Sequence, residues 1–290
     1  MDVNLFGQTA VNALMLASVY ALVALGLTLV FGVLDIVNFA QGHLLLLGAY
    51  LAYAFVNNGL TYWIALPVVV IIVAILGALL DVSLFARVRS APINGLLISI
   101  GLIAVFANAY QQIWGVNTYN LPAPVTSVLT IGSVRIPAAR ILVIVSTLLF
   151  LAGVAWFLRR TRAGAATRAV AQQPEAALLM GIAVERYRHL SFAMSAGLAA
   201  LGGALLAAVF PIDAGLGDAP LLKGFIVLII GGAGSPLGAV IGALMLGGAE
   251  SFGITYWSSG GAEVLAFVLL IAVLFVRPTG LVRTSREPSL

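Results

Sequence analysis

The sequence predicts an all-α polytopic membrane protein, with about eight or nine transmembrane helices in a single domain over residues 1–290. Three observations predict this class: hydrophobic side chains make up 62% of the chain, charged ones make up 8%, and the mean hydropathy is +1.14. Soluble domains carry roughly 25% charge, and one of this composition would have to expose large apolar patches. A soluble enzyme, a disulfide-bonded secreted protein and a disordered linker are therefore excluded.

The apolar runs give the predicted helices in chain order. The first, residues 9–31, is too long for a signal-peptide core and no basic residue precedes it, so we expect a retained span. Seven more runs follow at about residues 36–56, 61–80, 93–114, 138–158, 190–210, 221–252 and 263–276. Residues 115–137 carry the asparagines and prolines that are typical of an external loop.

The basic residues predict the orientation of these spans. Eleven of the 14 lie in three segments: Arg87 and Arg89; Arg159, Arg160, Arg162, Arg168, Arg186 and Arg188; and Arg277, Arg283 and Arg286. Short basic loops stay in the cytoplasm, so we expect all three segments and the C-terminus there. An even number of crossings must then separate Arg188 from Arg277, yet three runs lie between them. The run 221–252, interrupted by GGAGSP at 231–236, must therefore form two short crossings or a re-entrant pair.

A second interrupted segment, residues 32–43, carries polar side chains at membrane depth. Paired broken segments indicate an internal repeat and mark the transport site in many carriers. The candidate translocation-path residues are Asn38, Gln41 and His43 here and Ser235 in the other break. Interhelical hydrogen bonding explains the first three equally well, because polar groups in hydrocarbon must find partners.

At both breaks, the alternative is that a polar residue serves only to cap a helix. Ser235 before Pro236 has the chemistry of a helix start, and an N-terminus inside the membrane can receive a carboxylate. Asp35 is expected to cap a helix that begins near Ile36. Glu250 and Glu263 are expected at the membrane interface, on either side of an external turn.

Small residues recur at every fourth position in the second half of the chain. Such rows let helix backbones approach closely, either within one subunit or between two. The rows are Gly234, Gly238 and Gly242; Ala239, Ala243 and Gly247; and Ser195, Ala199, Gly203 and Ala207.

The longest polar gap, residues 159–189, predicts a short cytoplasmic helix. Pro174 suits its first turn and Gly181 its end. This helix would expose Leu178, Leu179 and Met180, and an apolar patch rimmed by charge marks a protein contact. A helix lying on the membrane surface is the alternative.

Four sequence blocks in this chain resemble the branched-chain (hydrophobic) amino-acid permease family of ABC importers. Within one of them, EAAxxxG from Glu175 to Gly181 is similar to the cytoplasmic loop of ABC importer permeases in general. The blocks are VNFAQGH at 37–43, RAVAQQPEAALLMGI at 168–182, GGAGSPLGAVIGA at 231–243 and RPTGL at 277–281.

The resemblance implies a permease subunit in the bacterial inner membrane. Glu175, Ala176, Ala177 and Gly181 are then the positions that couple to an ATPase. The implied partners are two cytoplasmic ATPase subunits, which bind the ATP, a second permease, commonly an unlike chain, and a periplasmic substrate-binding protein. No cofactor, metal or nucleic acid is expected. Relatives carry leucine-like amino acids, urea, amides or other small carboxylates, so the cargo stays open.

Two other classes fit less well. An ion-coupled secondary transporter would need intramembrane carboxylates, for which Asp35, Asp81 and Glu250 are the candidates, and it leaves segment 159–189 unexplained. An enzyme is not expected: the only lysine, Lys223, is outside any phosphate-binding loop. A serine hydrolase would need a glycine-flanked elbow, which Ser235 lacks.

Overall fold

The computed structural model describes residues 3–89, 92–122, 124–125, 127–131 and 134–282. These residues form eleven α-helices, one 3₁₀ turn (Phe85–Val88) and a two-stranded antiparallel hairpin. The helices are α1 (Val3–Leu34), α2 (Gln41–Asn57), α3 (Tyr62–Ser83), α4 (Pro92–Trp114), α5 (Ala138–Arg160), α6 (Arg162–Gln172), α7 (Pro174–Leu179), α8 (Val184–Ala207), α9 (Asp218–Gly231), α10 (Pro236–Tyr256) and α11 (Ser259–Val276); the strands are β1 (Val128–Ile131) and β2 (Val134–Pro137). The predicted helical membrane fold is confirmed.

Seven of the described helices are long and apolar enough to cross a membrane, namely α1, α3, α4, α5, α8, α10 and α11. Helices α2 and α9 are shorter, with 17 and 14 residues. At about 1.5 Å per residue, α9 is about 21 Å long and falls short of the roughly 30 Å hydrocarbon core. The apolar run 221–252 is thus divided between α9 and α10 at the predicted interruption.

The basic segments lie at one end of the helix bundle, which we call the basic end. Arg89 follows the 3₁₀ turn and forms an ion pair with Glu185 at the start of α8. Arg159, at the end of α5, lines a cavity together with the linker between α9 and α10. The amide of Leu281 donates to the carbonyl of Ile230 at 2.9 Å, which attaches the third segment beside that linker. The other two arginines predicted for this segment, at 283 and 286, lie outside the described residues.

Helices α1 and α8 form the centre of the bundle. In each, 83% of the most apolar window is buried within the subunit, whereas the value is 22% for α4 and α5 and 11% for α11. The central side chains Leu22, Leu45, Leu201 and Leu205 have no exposed surface. The peripheral helices therefore present their apolar faces outward, to lipid or to another subunit.

The rows of small residues pack helices together within this one subunit. A methyl group added at Gly203 of α8 would overlap the carbonyl oxygen of Leu45 in α2. One added at Gly247 of α10 would come within 2.6 Å of the amide nitrogen of Ala17 in α1. Of the two interpretations of these rows, the structure confirms packing within a subunit for both helices.

The hairpin lies in the segment predicted as an irregular external loop. Its strands pair Val128 with Pro137 and Ile131 with Val134. Both strands are rich in β-branched residues, which favour strands. Four-residue strands are too short to register as spans, so hydropathy alone could not distinguish them from loop.

Candidate functional site

Segment 159–189 folds as two short helices that project from the basic end. Thr161 caps α6, since its hydroxyl accepts the amide of Gly164 at 2.9 Å. Pro174 occupies the first turn of α7, and Gly181 follows the helix with φ of +78°. The predicted short helix is confirmed, with the start and stop residues that its sequence indicated.

Helix α7 carries an exposed apolar patch, formed by Leu178, Leu179 and Met180. Their exposed fractions are 64%, 89% and 81%. Glu175 and Ala176 are also exposed on this helix. These three consecutive apolar residues are exposed together, as is typical of a surface that contacts a protein or a membrane.

The inner side of α7 is anchored in the helix bundle. Ala177 is 4% exposed and belongs to an apolar cluster with Val170 of α6, Val184 of α8 and Phe85 of the 3₁₀ turn. Of the four predicted coupling positions, Ala177 is therefore buried, while Glu175, Ala176 and Gly181 face outward. Their coupling role stays a prediction.

An ionic network connects the segment after α7 to α3. The fully buried Asp81 of α3 accepts from Arg89 Nη2 and pairs with His189 Nδ1, both at 2.6 Å. Arg89 also pairs with Glu185, which forms a second pair with Arg188 at 2.8 Å. The sequence named Asp81 only as a possible ion-coupling group and did not predict this network.

The break between α1 and α2 differs from the prediction at Asp35. Helix α1 continues to Leu34, and α2 begins at Gln41 rather than near Ile36. Asp35 has a φ of +55° and ends α1, so its predicted role as an N-cap is wrong. The backbone turns there because aspartate tolerates the left-handed region better than most residues do.

Asn38 and Gln41 are buried and hydrogen-bonded, with exposed fractions of 1% and 0%. Asn38 accepts the amide of Ala40 at 3.1 Å. Gln41 Nε2 donates to the carbonyl of Ser195 in α8 at 3.0 Å, and the Ser195 hydroxyl donates back to Gln41 Oε1 at 3.2 Å. These contacts are the interhelical bonds that the sequence offered as the alternative to a path lining.

His43 lies two residues after Gln41, beside the start of α9. It is 8% exposed, and its ring stacks near Phe106 and Tyr110 of α4 at centroid distances of 6.4 and 5.9 Å. Its Nδ1 has no hydrogen-bond partner among the described residues. A methyl group on Gly217 would overlap the backbone of Gly42, so the starts of α2 and α9 meet here.

The second break, residues 232–235, is held at the basic end. The hydroxyl of Ser235 accepts the amide of Gly238 at 3.0 Å, and Pro236 opens α10, as predicted. A methyl on Gly32 of α1 would come within 3.5 Å of Gly234, so the two breaks are neighbours in space. Ser235 also lines a cavity of about 540 Å³ between α1, α5, α6 and this linker, whereas Asn38, Gln41 and His43 do not line it.

Glu250 is largely buried among the helices and ion-paired, contacts that the sequence did not predict. Its carboxylate pairs with Lys223 of α9 at 3.3 Å and accepts the hydroxyl of Tyr20 in α1 at 2.8 Å. The exposed fractions of the Lys223 and Glu250 side chains are 7% and 14%. Within the described residues no cluster of histidine, cysteine and carboxylate could hold a metal ion.

The described fold and these sites define a polytopic membrane permease: long spans, two interrupted segments beside each other and a projecting contact helix. The chain belongs to the family described as branched-chain amino acid transport system / permease component, whose model matches residues 9–274. Family membership makes it a transport protein rather than an enzyme.

Curated relatives align with this chain over almost its whole length. The high-affinity branched-chain amino acid transport system permease protein BraD of Pseudomonas aeruginosa is 32% identical, with 94% of each chain covered. The protein of the same description, LivH of Escherichia coli K12, is 30% identical, with 95% of each covered. Among solved structures, a chain of PsaBC from Streptococcus pneumoniae in complex with Fab has a TM-score of 0.47 at 16% identity, covering 96% of this chain and 94% of that one.

Proposed function

We propose that this chain is the transmembrane permease subunit of an ATP-driven importer of branched-chain or other hydrophobic amino acids. The family and the full-length relatives support the transport class and its cargo. The observation that carries the coupling to an ATPase is the exposed apolar patch of α7 at the basic end. The energy must come from another subunit, since the single lysine lies in α9 and not in a phosphate-binding loop.

Helix α7 is proposed to dock in a groove of a cytoplasmic ATPase. Leu178, Leu179 and Met180 supply the apolar contact, and Glu175 supplies a charge beside it. Gly181 lets the chain turn immediately behind α7, because its φ of +78° is disfavoured for residues with a Cβ. The helix thus projects without losing its anchor at Ala177.

Movement of α7 is proposed to reach the spans through α8. Only residues 180–183 separate the two helices. The ionic network then joins the first turns of α8 to the end of α3 through Glu185, Arg89 and Asp81. A displacement of the docked helix is therefore transmitted to two spanning helices, one of them central in the bundle.

The coupling proposal predicts that Glu175→Arg and Gly181→Val each abolish leucine uptake in cells that carry the remaining subunits. The permease should still insert at its normal level, because Glu175 and Gly181 are exposed and outside the core. Glu263→Arg, an exposed carboxylate at the start of α11, is the matched control and should keep full uptake. Co-purification of the ATPase should fall with the α7 variants, and wild-type uptake by either of them would contradict the assignment.

The proposed translocation path passes the two breaks, where Asn38, Gln41, His43 and Ser235 lie. Two neighbouring interruptions support this, because backbone groups at the ends of broken helices are left to contact a polar cargo. In the described structure Asn38 and Gln41 form hydrogen bonds within the protein, so these hydrogen bonds must break when cargo passes. Cysteines at 38, 41 and 43 should react with a water-soluble thiol reagent in at least one nucleotide state. Complete protection in every state would assign these residues to helix packing alone.

The proposed assembly holds this chain, a second and unlike permease, two ATPase subunits that bind ATP, and a periplasmic binding protein. The proposed location is the bacterial inner membrane, with segment 159–189 and the C-terminus in the cytoplasm. Basic residues concentrated at one end of the bundle support this orientation. The multi-span fold and the relatives support the membrane location.

A further inference from the structure

The cavity at the basic end has features that the transport proposal does not use. It measures about 540 Å³ and lies between the last turns of α1 and α5, helix α6 and the start of α10. Its walls are mainly aliphatic, with Leu29, Leu151, Val154, Leu158 and Val240 among the lining residues. An aliphatic cavity of this size selects an apolar ligand or an apolar part of one.

The depth of the cavity matches one leaflet of a bilayer. Its lining follows α5 from Arg159 back to Leu151, which is about 12 Å along the helix at 1.5 Å per residue. Along α1 it reaches from the helix end back to Leu25, about 14 Å. Half of a roughly 30 Å hydrocarbon core is about 15 Å. The cavity is therefore deep enough for an acyl chain and much longer than a single amino acid.

The cavity opens sideways as well as toward the basic end. Ala155 of α5 and Leu237 of α10 line it and are exposed in the subunit, the latter by 55%. The surface beyond them stays apolar, with Trp156 of α5 at 64% exposed and Leu244 of α10 at 49%. A chain in the surrounding bilayer can thus enter without crossing a polar barrier.

The mouth of the cavity is cationic and polar. Arg159 and Arg168 line it, are exposed, and have no hydrogen-bond or ion-pair partner among the described residues. The start of α10 at Ser235 adds the positive end of a helix dipole. Thr28, 2% exposed, also lines the cavity, and its hydroxyl has no partner within the described part of the chain.

We propose that this cavity binds one anionic phospholipid of the membrane leaflet at the basic end. An acyl chain fills the aliphatic walls, and the phosphate lies against Arg159 and Arg168. Basic pockets between spanning helices on the cytoplasmic side are sites where anionic headgroups bind. A branched-chain amino acid shares the same chemistry, an apolar group with an anionic one, but fills only part of the depth. The proposal does not depend on the coupling role of α7.

The first test uses the full chain purified with its accompanying subunits and titrated with phosphatidylglycerol or phosphatidylcholine of identical chains. Native mass spectrometry should show tighter retention of phosphatidylglycerol. The double variant Arg159→Gln/Arg168→Gln should weaken it by about 30-fold, which corresponds to about 2 kcal/mol for two basic residues. Arg160→Gln/Arg162→Gln removes the same charge from exposed neighbours outside the cavity and should leave the affinity within about twofold, as expected for exposed charges. Equal losses in both pairs, or no headgroup preference, would overturn the proposal.

The second test separates lipid from transported solute. Ala155→Phe should fill the cavity and lose bound lipid of either headgroup, whereas Ala152→Phe, exposed on the same helix outside the cavity, should not. The native chain has no cysteine, so Ala155→Cys introduces a single thiol. Phosphatidylglycerol should protect this thiol from a maleimide. Protection by leucine and not by the lipid would assign the cavity to the transport path and overturn the proposal.

Discussion

At the scale of single residues, two buried charge clusters constrain the bundle. Asp81 has no exposed surface and is held by Arg89 and His189. Lys223 and Glu250 form the second cluster, with the Tyr20 hydroxyl as a further donor to the carboxylate. Charges inside a membrane domain are costly and must be paired, so each cluster fixes the helices that supply its members.

Replacing Asp81 tests the first cluster. Asp81→Ala leaves Arg89 facing no buried partner, and breaking a buried pair in this way costs about 3–5 kcal/mol of unfolding free energy. The measurement is the denaturation of the purified protein in detergent. Glu185→Gln, at a carboxylate that is 58% exposed, is the control and should cost less than about 1 kcal/mol. Equal stability of the two variants would contradict a structural role for the buried carboxylate.

At the scale of elements, close backbone contact decides how α2 packs. Gly203 and Gly48 place α8 and α2 so near each other that a methyl at either would overlap backbone atoms of the other helix. Without a hydrophobic force between helices in lipid, such close packing is a main source of association. Helix α2, too short to be a full span, is thereby held against the centre of the bundle.

A single methyl group tests that contact. Gly203→Ala should lower the unfolding free energy by about 1–3 kcal/mol, because overpacking forces the backbones apart. Gly153→Ala in α5, where no atom lies within 4 Å of the added methyl, is the control. It should be neutral or stabilise by up to about 1 kcal/mol through helix propensity. Chemical denaturation of both variants measures the difference in unfolding free energy. An unchanged value for Gly203→Ala would show that α2 and α8 lie further apart than described.

At the scale of the whole molecule, the distribution of charges and of structural elements makes the two ends of the helix bundle different. The basic end carries the arginine-rich segments, helix α7 and the linker between α9 and α10. The opposite end carries the hairpin β1–β2 and the turn between α10 and α11. The proposed import requires this asymmetry, because the ATPase would bind at one end of the bundle and the cargo would arrive at the other.

Thiol labelling of intact cells tests which end of the bundle faces the cell interior. Leu179→Cys lies at the tip of α7 and Val116→Cys in the loop after α4, at positions that are 89% and 81% exposed in the native chain. An impermeant maleimide should label position 116 from outside and position 179 only after the cells are opened. The permease is expressed without the ATPase, which would cover position 179 if α7 docks in it. Both positions are then accessible in the folded subunit, and each variant serves as the control for the other. Labelling of position 179 in intact cells would reverse the orientation and remove the basis for ATPase docking.

Helix limits that depend on a few neighbouring residues could be predicted from the sequence. The break at 231–236 and the limits of α7 follow from Ser235, Pro174 and Gly181, because a cap or a turn depends on a few neighbouring residues. The apolar runs likewise determined the spans, since each must match the thickness of a bilayer.

Only the tertiary structure decided which distant residues meet. Asp81 and His189 are 108 positions apart, and no spacing rule joins them. Asp35 could be a cap by sequence, and only the continuation of α1 places it at a helix end. The position of Glu250 and the cavity near Arg159 depend likewise on how several helices pack at once. Patterns along the chain report a residue's neighbours in sequence, whereas a buried ion pair or a cavity is a property of helices brought together.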